Sequence, residues 1–95
     1  MRPEHSACFE ALRTSRSAGI VEYVAKHPDS DQMEIAEYLG LDPAVNGRDR
    51  QCVRRDMNAL CGVGLLVVSY DGYKNTYRVQ PETIQSLITA LQALL

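Results

Sequence analysis

The stretch RDRQCVRRDMNALCGVGLL, residues 48–66, constrains the fold of this chain more than any other. Val53, Met57 and Leu60 recur at i, i+4 and i+7, which gives a helix one apolar face. Arg48, Arg50, Arg54 and Arg55 lie near its start and off that face. Gly62 or Gly64 fits as the break that ends it, before a β-type run. A helix held on one side and armed with arginine near its N-terminus suits the DNA major groove, which is wide enough to admit it.

The rest of the chain supplies a scaffold for such a helix. Residues 4–13 read as helical, with Cys8, Phe9 and Leu12 on one side. Thr14 to Ser17 offers capping oxygens, and a second helix over 17–26 turns Ile20, Val21 and Val24 inward. His27 precedes Pro28, so the helix ends there, and His27 is a terminal residue compatible with the helix dipole. Asp31 with Glu34 three residues on forms a capping box for a third helix, whose inner face is Ile35, Ala36 and Leu39 and which Gly40 stops. Residues 41–47 connect, with Pro43 and Asn46-Gly47. After the arginine-bearing helix, 65–70 is a strand, 71–75 a hairpin loop with Asp71-Gly72, and 76–79 the return strand. Pro81 opens a last helix that runs to the C-terminus. The fold class is mainly α with a small β-hairpin.

Ninety-five residues make one domain over 1–95, small enough that association is a common route to stability. No stretch spans a membrane, and no apolar run of signal-peptide type follows the first residues, so a cytoplasmic protein is expected. Three cysteines without a secretory signal argue for reduced thiols. The net charge of −2 counts against indiscriminate coating of nucleic acid. Local charge differs from the total: residues 48–55 hold four arginines and one aspartate, and Asp29, Asp31, Glu34, Glu37 and Asp42 precede them. A dipolar surface of this kind can orient a protein on DNA.

The order of elements resembles a winged helix-turn-helix of the ArsR type, over residues 9–95. Ala11-Leu12 to Glu22 resembles that family's opening segment. Glu34-Ile35-Ala36-Glu37-Tyr38-Leu39-Gly40-Leu41 resembles its positioning helix. Met57 and Leu60 followed by Gly64-Leu65-Leu66 resemble its recognition-helix exit, and Tyr77-Arg78-Val79-Gln80-Pro81-Glu82 the strand exit before its dimer helix. Residues 53–60, VRRDMNAL, look more like the recognition helix of the DeoR type. The longer turn over 42–47 is a second departure. The third is chemical. Asp31-Gln32-Met33 stands where a metal-sensing cysteine pair would be, and Ser86, Thr89 and Gln92 replace the ligands of the other common site. The resemblance implies DNA binding and dimerisation but not metal sensing, and with those ligands missing no metal and no cofactor is expected.

The residues expected at DNA are Arg48, Arg50, Gln51, Arg54 and Arg55 on the helix and Tyr73, Lys74 and Asn75 at the hairpin tip. Arginine pairs with guanine edges and glutamine with adenine, and arginine or lysine holds phosphate. Asp49 and Asp56 are placed to orient the arginines by salt bridges. The residues expected at a homodimer seam are Ile84, Leu87, Ile88, Leu91, Leu94 and Leu95 in the last helix (about 81–95), joined by Phe9 and Leu12. No side chain from Thr83 to Leu95 is charged, which suggests cover on two sides. Cys52 and Cys61 point to nearly opposite sides of one helix and cannot share a metal. Cys52 among arginines leaves open a redox-responsive regulator. His5 and Cys8 share a face but make only two ligands, short of a zinc site. No phosphate loop and no nucleophile–base pattern is present, so an enzyme is not expected. The expected function is a dimeric, sequence-specific binder of double-stranded DNA that represses by occluding a promoter. The competing reading is a winged-helix module that binds a protein and not DNA.

Overall fold

The computed structural model describes residues 2–40 and 47–95, with their side chains except at 47–50. Residues 41–46 of the expected connector, with Pro43 and Asn46, lie outside the described residues, and Gly47 begins a helix. In chain order the elements are α1 (Pro3–Ala11), α2 (Ser15–Lys26), α3 (Gln32–Tyr38), α4 (Gly47–Gly62), β1 (Leu66–Tyr70), β2 (Asn75–Val79) and α5 (Pro81–Gln92). Among the described residues no helix is long and apolar enough to cross a membrane.

Local chemistry sets most of the ends. The Thr14 hydroxyl accepts the Ser17 amide at 3.1 Å, so α2 starts two residues before the expected point. The α3 cap is a reciprocal box: Asp31 Oδ1 accepts the Glu34 amide at 2.9 Å, and Glu34 Oε1 accepts the Asp31 amide at 3.3 Å. Between the sequence's two glycine candidates for the end of α4, Gly64 is the one in the left-handed region, at φ +82°. That geometry lets the Leu65 amide reach back to the Leu60 carbonyl at 3.0 Å. α5 stops at Gln92, so Leu94 and Leu95 lie beyond it and not within the helix.

β1 and β2 pair antiparallel, with Leu66 opposite Val79 and Tyr70 opposite Asn75. Asn75 therefore belongs to the return strand and the loop is 71–74, one residue shorter than the sequence suggests. Asp71 closes this loop by accepting the amides of Tyr73 and Lys74, each at 2.9 Å. A third, one-residue strand joins β2 where the sequence showed only a turn. Asp29 adopts φ +66°, a conformation that Asp tolerates better than most residues. The chain reverses there, the Tyr77 amide donates to the Ser30 carbonyl at 2.9 Å, and the Asp29 amide donates to the Tyr77 carbonyl at 3.0 Å.

The core gathers one face from each element. Ile20 and Val24 of α2, Ile35 and Ala36 of α3, and Val53, Met57 and Leu60 of α4 meet Leu65, Leu66 and Tyr77 from the hairpin side. Each buried aliphatic of this size contributes about 1.5–3 kcal/mol over its exposed state. Leu87, expected at a dimer seam, is 6% exposed and belongs to this chain's own core, so it has little surface left for a partner. Ile84, Phe9 and Leu12 are half-buried against the same core. Ile88, Leu91, Leu94 and Leu95 remain exposed. His5 of α1 meets Ser86 of α5, Nε2 to Oγ at 2.9 Å, and fixes the two terminal helices against each other.

Candidate nucleic-acid interface

α4 is held by α1, α2, α3 and β1, which pack on the side carrying Val53, Met57 and Leu60. Its outward side carries Gln51, Arg54, Arg55 and Asn58, all exposed. Gln51 and Arg54 are three residues apart, Arg54 and Asn58 four, so these side chains form one stripe along the helix. Asn58 was not among the residues singled out from the sequence. Its spacing from Arg54 and Arg55 was the available signal, and asparagine is the residue type that pairs with adenine edges. The side chains of Arg48, Asp49 and Arg50 lie outside the described residues.

Among the described residues Arg54 and Arg55 enter no ion pair. Asp56 does not orient them, contrary to the expectation from sequence. It accepts Arg16 Nε at 2.5 Å, with only 13% of its own side chain exposed. This pair ties the start of α2 to the middle of α4. Asp56 is turned inward because it follows Val53 by three positions and so lies near the buried face.

The hairpin differs. Tyr73 is at the tip and 87% exposed. Lys74 is engaged: its Nζ donates to Asp31 Oδ2 at 3.0 Å. Arg78 is engaged too, in a two-pronged pair with Asp29 at 2.6 and 2.7 Å. Hydrogen bonding to Arg78 holds the Asp29 carboxyl below the usual carboxylate range. At Asp31 burial pushes upward, but the Glu34 amide, the Lys74 ammonium and the Met33 amide together hold it below that range. The same contact with Asp31 raises Lys74 above the ordinary lysine value.

The cysteines are free thiols. Cys8 donates to the Val63 carbonyl at 3.4 Å, and burial, then Glu4, push its thiol up. Burial also pushes Cys61 up. Among the described residues no three His, Cys, Asp or Glu side chains are grouped to hold a metal ion. His27 stacks on Tyr23, which in turn stacks on Tyr38, with ring centroids 4.3 and 4.6 Å apart.

No family model and no curated protein matches the chain. Solved structures do. An ArsR-like transcriptional regulator from Rhodococcus sp. RHA1 superposes with a TM-score of 0.79 at 21% identity, over 96% of this chain and 78% of that one. The homodimeric winged helix-turn-helix DNA-binding domain of a possible ArsR-family regulator from Mycobacterium bovis, solved in solution, gives 0.71 at 20% identity, over 96% and 77%. Reduced HlyU from Vibrio cholerae N16961 gives 0.70 at 14% identity, over 96% and 87%. The fold is thus a winged helix-turn-helix of the kind seen in ArsR-like transcriptional regulators. In it α3 and α4 are the helix-turn-helix pair and β1–β2 the wing.

Proposed function

We propose that this protein is a dimeric, sequence-specific DNA-binding transcriptional regulator that represses by occluding a promoter. The observation that carries the reading is the stripe of Gln51, Arg54, Arg55 and Asn58 on the outward side of an α4 whose other side is fully buried. Such a helix can enter a major groove without loss of packing, and its arginine, glutamine and asparagine match guanine and adenine edges. In the sequence Arg48 and Arg50 extend the basic start of α4 ahead of the DeoR-like string over residues 53–60, and we assign Arg48 to phosphate. At the wing we assign Tyr73, Lys74 and Asn75 to the backbone or minor groove.

Dimerisation supports the same reading. Ile88, Leu91, Leu94 and Leu95 are exposed on a segment with no charged side chain after Glu82, and we assign Phe9 and Leu12, half-buried near the N-terminus, to the same seam. An apolar patch of this kind is a usual mark of an interface. An isologous pair would set two copies of α4 about 34 Å apart, one turn of DNA. Changing Leu91 to glutamate should place a charge at the seam, so the variant should sediment as a monomer at micromolar concentration and bind DNA more weakly. A Leu91→Glu variant that stays dimeric would remove α5 as the seam.

The DNA role itself is tested by selection from random duplexes, followed by binding of the Arg54→Ala, Arg55→Ala double variant. A folded double variant should lose about 2–5 kcal/mol of specific binding, at roughly 1–3 for each good contact. Unchanged affinity would sink the assignment. One observation favours the competing protein-binding module: both cations of the wing are already paired with acids, on a chain of net charge −2. Salt-dependent duplex binding, compared with a charge-matched control protein, separates the two.

A further inference from the structure

We infer that Asp31 is an internal competitor for DNA phosphate, which holds the wing lysine Lys74 away from the backbone and thereby sets how strongly the wing contributes to binding. The inference rests on the DNA-binding reading above. Its starting point is the division of labour between the two oxygens of one carboxylate. Oδ1 caps α3 through the Glu34 amide at 2.9 Å, and Oδ2 takes the Lys74 ammonium at 3.0 Å. The cap fixes the carboxylate, so Lys74 meets a preset anion, and the Asp31 side chain is only 20% exposed.

The wing itself is seated independently of this pair. The Tyr77 amide on the Ser30 carbonyl, the Asp29 amide on the Tyr77 carbonyl and the Arg78–Asp29 fork hold β2 against the α2–α3 turn. Lys74 can therefore leave Asp31 without the wing leaving its place. Beside it Tyr73 is 87% exposed, so the tip faces open solvent where a duplex backbone would run. A phosphate that captures Lys74 must take it from Asp31 and then lie near a carboxylate left without its cation. The exchange replaces one anion by another, so Lys74 adds little net counterion release to binding.

Asp31→Asn isolates this role. Asparagine is as good an N-cap as aspartate, so Oδ1 still receives the Glu34 amide. The amide nitrogen then stands where Oδ2 held the ammonium, and Lys74 is released. The experiment measures binding to a mixed-sequence duplex of about 30 base pairs between roughly 50 and 200 mM salt. It compares wild type, Asp31→Asn, Lys74→Met and the double variant, with thermal melts as the fold control and Asp31→Ser as a second cap-competent neutral variant. Asp31→Asn should tighten binding about three- to tenfold at the low-salt end and steepen the log–log salt slope by about 0.9 per wing. Lys74→Met should change wild-type binding little and should abolish the gain from Asp31→Asn. A gain that persists undiminished with Lys74→Met would show that Asp31 acts only as a general negative charge, and overturns the inference. No gain in either neutral variant overturns it as well, while leaving wild-type DNA binding standing. Absence of wild-type binding overturns the DNA reading and this inference together.

Discussion

α4 and the wing both carry basic residues on the surface proposed to meet DNA, yet they differ in what those residues are free to do. On α4, Arg54 and Arg55 are exposed and enter no ion pair among the described residues. On the wing, Lys74 and Arg78 are each closed against an aspartate of the α2–α3 turn. α4 gains its hold from burial of Val53, Met57 and Leu60, so its outer side chains owe nothing to the fold. The hairpin buries Leu66 and Tyr77 but leaves Val67, Val68 and Tyr70 exposed, and strand pairing and the Arg78–Asp29 ion pair on β2 add to its hold. A cation used for docking is a cation withheld from phosphate. Counting basic residues therefore overstates the wing and not the helix.

The strongest way to break this comparison is to remove the support of α4. Leu60→Ala should cost about 2–5 kcal/mol of stability by chemical denaturation, because the side chain is fully buried. A loss under about 1 kcal/mol would mean that the site collapses to fill the gap and that α4 is held otherwise. Next in size, Arg54→Ala alone should weaken duplex binding by about 1–3 kcal/mol with no change in melting temperature. A stability loss in this variant would show that Arg54 serves the fold, which would erase the contrast with the wing. Smaller still, Lys74→Ala should cost less than about 1 kcal/mol of binding, as a lysine already in an ion pair gives little. An effect equal to that of Arg54→Ala would put the two regions on the same footing.

The smallest effect is in acid. Asp29, Asp31 and Asp71 all have folded-state pKa values below the ordinary carboxylate value. A depressed pKa adds stability above the unfolded value of about 3.9, and that part is lost as pH falls through the folded value. Thermal melts should thus be insensitive to these groups from neutral pH down to about 5 and should fall below about 4. Asp31→Asn should flatten part of that acid limb. An identical acid limb in the variant would mean that the Asp31 contacts do not persist in solution.

Several features could be read directly because they are local. The Asp31–Glu34 box, the end of α2 before Pro28 and the inner faces of α2, α3 and α4 depend on residues within one or two helical turns of each other. The outward stripe of α4 follows from the same period, and Asn58, uncharged, is marked in the sequence only by its spacing from Arg54 and Arg55. The ion pairs were not legible in this way. Arg16 meets Asp56 across 40 residues, Lys74 meets Asp31 across 43 and Arg78 meets Asp29 across 49. Local spacing puts Asp56 near the buried face, three positions after Val53, but does not name Arg16, 40 residues away, as the partner it meets there.

The sequence by itself determined the element order, the apolar faces and the outward arginines, since periodicity and capping act over a few residues and need no knowledge of what lies opposite. Tertiary structure alone decided which apolar side of α5 faces inward, placing Leu87 in the core and leaving Leu91 outside. It also made Ser30 a strand partner of Tyr77 and, among the described residues, closed Lys74 and Arg78 onto aspartates while leaving Arg54 and Arg55 without an ion pair. These outcomes depend on distances between segments far apart in the chain. Only the closed fold brings a carboxylate to within 3.0 Å of the wing lysine and, among the described residues, leaves Arg54 and Arg55 without one.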